Sequence, residues 1–217
     1  MFIGHFGTGF AVKKFAPTVS LGTLFFAAQF IDLLWPVFLL FGIEHVKIDP
    51  GNTIVTPLNF IYYPFSHSLL AVLIWAIVFG MVYFLIKKNL KNAIWLGGLV
   101  LSHWILDLLT HRPDLPLIPG VQLMVGFSLW NSLWGTVVFE GLIFCVGVYF
   151  YLKVTHSKNK TGSIALWALI IFLIAIYIGN LFGSAPPSEE AIGWVGLTQW
   201  ILIFWGYWVD RNREWKK

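Results

Sequence analysis

Charged side chains are scarce in this sequence: Asp, Glu, Lys and Arg together supply 11% of its 217 residues, against roughly 25% in an ordinary soluble domain. So few charges cannot solvate a whole molecular surface, which excludes the usual water-soluble globule. Cysteine is almost missing. The single Cys145 lies in an apolar run, so no intramolecular disulfide can form and the thiols say nothing of compartment. A basic patch is missing too, because the net charge of +4 comes from Lys and Arg that flank apolar stretches. That arrangement speaks of membrane topology, and no nucleic-acid partner is expected. Neither an internal repeat nor a low-complexity tract nor a dividing linker is present, so residues 1–217 are expected to form one integral membrane domain. "GHFGTGF" near the amino terminus has glycines but follows no strand, which rules out a phosphate-binding loop. "MFIGHFGTGFAVKKF" carries its basic residues after the apolar stretch and is expected to belong to the mature protein.

Apolar residues fill the space: 58% of the chain is hydrophobic and 18% aromatic. A membrane-crossing helix needs about 20 mostly apolar residues. Six windows satisfy that, at 18–43, 64–86, 93–111, 127–152, 163–184 and 192–210, punctuated by Pro17, Pro64, "KKNLKN", Pro113 and "GSAPPSEE". The expected fold class is therefore all-α, a polytopic membrane helix bundle of about six transmembrane helices. With both termini cytoplasmic, twelve of the fourteen Lys and Arg fall on one side, and only Lys47 and Arg112 fall on the other. The stretch before Lys13 is too short to cross, but it can form an N-terminal half-helix that carries His5 some 12 Å into the bilayer. Gly4, Gly7 and Gly9 would let it pack closely. Trp35, Trp130, Trp134, Trp194 and Trp208 read as interfacial aromatic belts.

Against that background the polar residues inside the windows stand out. Asp32, His67, His103, Asp107 and Glu140 lie within spans, with His5 on the half-helix. An uncompensated acid at mid-bilayer costs about 3 kcal/mol on the lenient insertion scale, so these acids need partners. In "SHWILDLLTHRPDLP" His103 and Asp107 are one helical turn apart, and counting from the span's start puts them about 15 and 21 Å from the inner boundary. Asp32 falls at a similar depth, His67 at the outer end of its span. Gln29, Asp32 and Pro36 mark a polar, kinked stretch of the first span. Ser132, Thr136 and Glu140 form a stripe down the fourth. Imidazoles and carboxylates gathered from several helices are the donor set of a divalent metal, zinc above all, and a dication offsets the buried negative charge. His5, Asp32, His67, His103 and Asp107 are the candidate ligands, with Glu140 a further ligand, an outer acceptor or the proton carrier for a water. His111 reads as a solvated interfacial histidine, and His45 and His156 as loop residues. Ser66 and Ser68 flank His67 but, as sequence neighbours, lack the logic of a nucleophile triad.

Taken together, His5, Asp32, "SHSLL" and "SHWILD" resemble the bacterial inner-membrane family known as membrane-bound metal-dependent hydrolases, themselves similar to zinc-dependent phospholipases C with an HxxxD helix. The resemblance covers about the first 145 residues; "LWNSLWGTVVFEGLIF" also looks like a segment of similar membrane proteins, which adds Trp130, Asn131 and Glu140. Spans five and six, at 163–210, carry no motif. Where the family has a Pro-Asp-x-Asp stretch this chain reads "QFIDLLWP", and where it has His-Arg ahead of the motif histidine this chain reads "YPFSHS", so ligands for a second metal are lost. The resemblance implies a multi-pass inner-membrane hydrolase of an ester or phosphoester; the depth of the site suggests a membrane lipid as partner and substrate, since a site below the headgroups is reached more easily sideways than from bulk water. The competing expectation is a small transporter or proton or cation relay built on the same His and Asp residues, where a homo-oligomer would answer the small size. A scaffold whose polar cluster only fixes helix packing is the third.

Overall fold

The computed structural model describes residues 1–216, so Lys217, counted above among the basic residues, lies outside the described residues. Helix α1 (Ile3–Val12) is followed by α2 (Leu21–Ala28) and α3 (Phe30–Leu40), the ribbon β1 (His45–Ile48) and β2 (Leu58–Tyr62), a single turn α4 (Pro64–His67), and the long α5 (Leu69–Lys87) and α6 (Leu90–Thr110). A second ribbon, β3 (Leu115–Pro116) with β4 (Met124–Val125), leads to α7 (Leu133–Val154). Then come β5 (Thr155–Ser157), α8 (Lys160–Phe182), α9 (Glu189–Leu197), α10 (Gln199–Arg211) and β6 (Arg213–Trp215), which pairs back on β5. Five helical stretches are long and apolar enough to cross a membrane, or six when the bent pair α2 and α3 counts as one span. Large apolar side chains cover the outside, among them Ile77 at 63% exposure and Ile171 at 65%, as a lipid-facing surface requires. The polytopic all-α bundle is thus present, with three short two-stranded ribbons in its connections.

The half-helix is real and packs as its glycines foretold. A methyl on Gly7 would stand 2.8 Å from the carbonyl oxygen of Ile143 on α7, and one on Gly147 would fall on the carbonyl of Gly7. Gly80 and Gly97 do the same for α5 and α6, each 3.0 Å from the other helix's backbone at the position a Cβ would take. Side chains flatter than methyl at these positions are what allow backbone to approach backbone.

The first window bends within the polar stretch from Gln29 to Pro36, at its Gln29 end. The chain bends by 56° between α2 and α3, at Gln29, while Pro36 sits inside α3. Proline lacks the N–H that would bond to the carbonyl four residues back. That carbonyl belongs to Asp32, and the side-chain Nε2 of Gln199 donates to it instead at 3.3 Å. A polar group from α10 therefore repairs the helix where Pro36 opens it. The second window also divides: His67 ends the turn α4, and Ser68 begins α5 by accepting the amide of Ala71. Ser132 likewise caps α7 and is no part of a stripe within the span.

The basic connections gather at one end. Lys13 donates to Asp210 at 2.7 Å, Asn92 beside the α5–α6 turn donates to Thr18, and the β5–β6 ribbon joins the chain after α7 to the chain after α10.

Candidate functional site

Four elements bring the expected residues into one buried cluster. The α1 helix supplies His5, α3 Asp32, α4 His67 and α6 both His103 and Asp107; every one except Asp32 is almost fully buried. On α6 the one-turn spacing turns His103 and Asp107 to the same side, with His103 Nε2 3.2 Å from Asp107 Oδ2. Asp32 Oδ1 lies 3.5 Å from His103 Nε2 and 3.6 Å from His67 Nε2, and His67 Nε2 lies 3.9 Å from Asp107 Oδ2. Donors bonded at about 2.0–2.1 Å to one tetrahedral zinc ion stand roughly 3.3 Å apart. The imidazole-to-carboxylate distances are therefore close to what an ion asks for, and two overlapping sets could each hold one: Asp32, His67 and His103, and His5, His103 and Asp107.

The outer contacts of the two imidazoles fix which nitrogen faces inward. His103 Nδ1 lies 2.9 Å from the carbonyl oxygen of Ala28, an acceptor only, so Nδ1 carries a proton and in the neutral ring Nε2 presents its lone pair. That Nε2 is fully buried and faces Asp107 Oδ2 and Asp32 Oδ1. His67 Nδ1 contacts the Ser66 hydroxyl at 2.7 Å, and the hydroxyl stands 2.5 Å from Glu44 Oε2. The carboxylate can only accept, so Ser66 donates to it and accepts from His67, which again leaves Nε2 bare. Glu44 is held in turn by the amides of Phe65 and Ser66, at 2.7 and 2.8 Å. Such outer partners set the tautomer that a metal-binding histidine needs.

His5 joins the site from the other side. Its ring stacks on His103 with centroids 3.6 Å apart and planes 6° from parallel, and its Nε2 meets Asp107 Oδ1 at 3.2 Å. Asp107 thus turns one oxygen to the four-atom set and the other to His5 and the Met1 amino group, 2.8 Å away. Two stacked imidazolium ions would repel strongly in so dry a place, whereas neutral rings are also the form that binds metal. Glu140 borders the cluster through one oxygen, Oε2, which accepts the amides of Phe2 and Gly4 at 2.9 and 3.3 Å. Its position at the free N–H groups that open α1 gives it a share in holding His5 in place.

A cavity of about 480 Å³ opens beside the cluster, and Asp32, His67, Asp107 and Glu140 form part of its wall. Three expectations are corrected here. His111 is 2% exposed and no solvated interfacial residue: it bonds to Asp114 at 3.0 Å and packs on Trp130. Burial pulls its imidazole below the ordinary histidine value, with Asp114 opposing. Trp35 and Trp130 are buried cavity residues and no belt members, unlike the exposed Trp134, Trp194 and Trp208.

A model of the YdjM inner membrane protein family matches residues 3–186. The chain belongs to that family. The matched stretch holds every cluster residue, from His5 on α1 to Glu140 on α7, and with the apolar helices it makes this a multi-pass membrane protein of the inner membrane. No curated protein and no solved structure matches the chain. The residues that sequence reasoning missed are Glu44 and the connecting role of Ser66. Glu44 gave no signal, because its loop position looked solvated; Ser66 was visible only as a neighbour of His67.

Proposed function

We propose that this YdjM-family protein is a metal-dependent hydrolase of the inner membrane that acts on an ester or phosphoester, with its basic connections and C-terminus on the cytoplasmic side and the amino end of α1 reaching up into the bundle. The observation that carries the proposal is the cluster in which His67 Nε2 and His103 Nε2 each lie 3.2–3.9 Å from Asp32 Oδ1 and Asp107 Oδ2. Three features support a metal over a plain hydrogen-bonded cluster. The outer contacts of His103 and His67 place the proton of a neutral ring on Nδ1, both Nε2 atoms converge on the carboxylates of Asp32 and Asp107, and the donor types suit zinc. A dication there would act as a Lewis acid and bring the pKa of bound water to about 7. Asp107 would hold the ion through one oxygen while the other orients His5. Glu140 would take the proton of the attacking water through Oε1, which has no hydrogen-bond partner among the described residues, while Oε2 stays committed to α1. The cavity beside the cluster gives a membrane lipid room to bring its ester to these groups.

Elemental analysis of detergent-purified protein beside His103→Ala tests the reading. Near-stoichiometric zinc that disappears in the variant is expected, together with hydrolysis of a lipid phosphoester lost in Glu140→Gln. No metal in either protein refutes it, and proteoliposome cation flux lost in Asp107→Asn would put a relay in its place.

A further inference from the structure

Beside the metal cluster lie polar groups that the proposed chemistry does not use. Three side chains of the cavity wall each bury a polar atom without any hydrogen-bond partner: Trp35 Nε1 on α3, Tyr177 Oη on α8 and Gln199 Oε1 on α10. Trp35 and Tyr177 are 8% and 7% exposed. A buried polar group left unsatisfied costs about 1–3 kcal/mol, so these three groups are the ones in the wall that a ligand would satisfy once their side chains turn to meet it.

The groups are chemically distinct. The Trp35 indole can only donate, the Tyr177 hydroxyl can donate as well, and both suit ester or phosphoester oxygens. Gln199 differs. Its Nε2 is committed to the Asp32 carbonyl that Pro36 leaves open, which fixes the amide orientation and leaves Oε1 as a pure acceptor. Oε1 therefore requires a donor from the ligand. Away from the cluster the wall is mainly apolar, with Leu58 and Phe60 from β2 and Leu181, Pro186, Ile192 and Val195 from the end of α8 to α9, interrupted by Thr56, Asn180 and Ser184.

We infer that the cavity is a binding site for a phospholipid whose head carries a hydrogen-bond donor, a hydroxyl or an ammonium. The head sits between Trp35, Tyr177 and Gln199, and a hydrocarbon tail lies along α8 and α9. The inference rests on the hydrolase reading only for what becomes of the ester; lipid recognition by these residues is independent of the ion.

Native mass spectrometry with dioctanoyl phosphatidylglycerol, phosphatidylethanolamine and phosphatidylcholine, on zinc-loaded and on metal-depleted protein, tests it. Phosphatidylglycerol, phosphatidylethanolamine or both are expected to bind roughly tenfold tighter than phosphatidylcholine, whose head has no donor. The ratio of the first two tells hydroxyl from ammonium. Tyr177→Phe, which removes one hydroxyl and no packing, is expected to weaken all three lipids by about the same factor. Gln199→Met is expected to erase the discrimination, and Ala191→Trp to abolish binding by filling the cavity while zinc content stays unchanged. Equal affinity for the three heads, or wild-type affinities in Tyr177→Phe and Ala191→Trp, overturns the inference. The two readings fail separately. Selective lipid binding by a protein that never takes up metal removes the hydrolase alone, and full zinc occupancy without head selectivity removes the lipid site alone.

Discussion

Replacing Ser66 by alanine removes one oxygen atom, and the consequence can be worked from its neighbours. The hydroxyl lies 2.7 Å from His67 Nδ1 and 2.5 Å from Glu44 Oε2, and both partners are buried, at 3% and 0% exposure. Glu44 keeps the amides of Phe65 and Ser66 on its other oxygen, so the carboxylate stays in place. The loss falls on His67. Its Nδ1–H is left without an acceptor, or the ring moves the proton to Nε2 and turns a donor toward Asp32 and Asp107. In either case the inward lone pair is less available, and loss of such an outer partner typically weakens a metal site by about 10–100-fold, or 1.4–2.7 kcal/mol. Ser68→Ala is the matched control, two residues on. Its hydroxyl accepts the Ala71 amide as the cap of α5, so its removal is expected to cost about 1 kcal/mol of stability and leave zinc affinity alone. Competition with a chelator on detergent-purified protein reads the affinity, and thermal unfolding reads the stability. If Ser66→Ala and Ser68→Ala bind zinc equally tightly, the Glu44–Ser66–His67 connection has no part in the site and the reasoning is refuted.

Other changes have equally definite outcomes. Gly147→Leu should destabilise by at least about 1–3 kcal/mol, because its side chain falls on the Gly7 carbonyl and drives α1 off α7; zinc binding should weaken with it as His5 moves, and unchanged thermal stability would contradict that packing. Gln199→Leu leaves the Asp32 carbonyl unpaired inside α3, for an expected loss of about 1–3 kcal/mol, whereas the paired change Pro36→Ala with Gln199→Leu should recover most of it by restoring the backbone N–H; no recovery in the thermal midpoint would refute the repair. Burial holds His111 below the ordinary value in the folded chain, so it stays neutral there while the unfolded chain takes up a proton. Stability is therefore expected to fall as the pH drops through about 6.5, and His111→Asn should flatten the pH dependence of the melting midpoint.

Much of the architecture was legible because lipid imposes its demands on every span separately. Each window between Pro17 and Trp208 is apolar at the length a bilayer dictates, and the half-helix was foreseen from its glycines and Lys13. The place of the bend in the first span was not. The kinked stretch was marked from Gln29 to Pro36, but which end bends was not legible: a side chain 163 residues from Pro36 compensates its missing N–H, and the bend lies at Gln29. The cluster was legible in its members, since acids and imidazoles in apolar runs are too costly to be incidental. Its outer contacts were not. Nothing in "FGIEHVK" says that Glu44 will be drawn under the turn carrying Ser66 and His67, because the loop's polarity looks like solvation until the fold buries it.

The sequence by itself determined that this chain spans a membrane as a helix bundle and that His5, Asp32, His67, His103, Asp107 and Glu140 are out of place in lipid. Both are local properties of composition and spacing. Only the tertiary structure decided which nitrogen of each histidine faces inward, that Glu140 anchors α1, and that Trp35, Tyr177 and Gln199 share one cavity. Those outcomes depend on which carbonyl, hydroxyl or amide a distant segment brings within about 3 Å, the range of a hydrogen bond, and spacing along the chain carries no record of it.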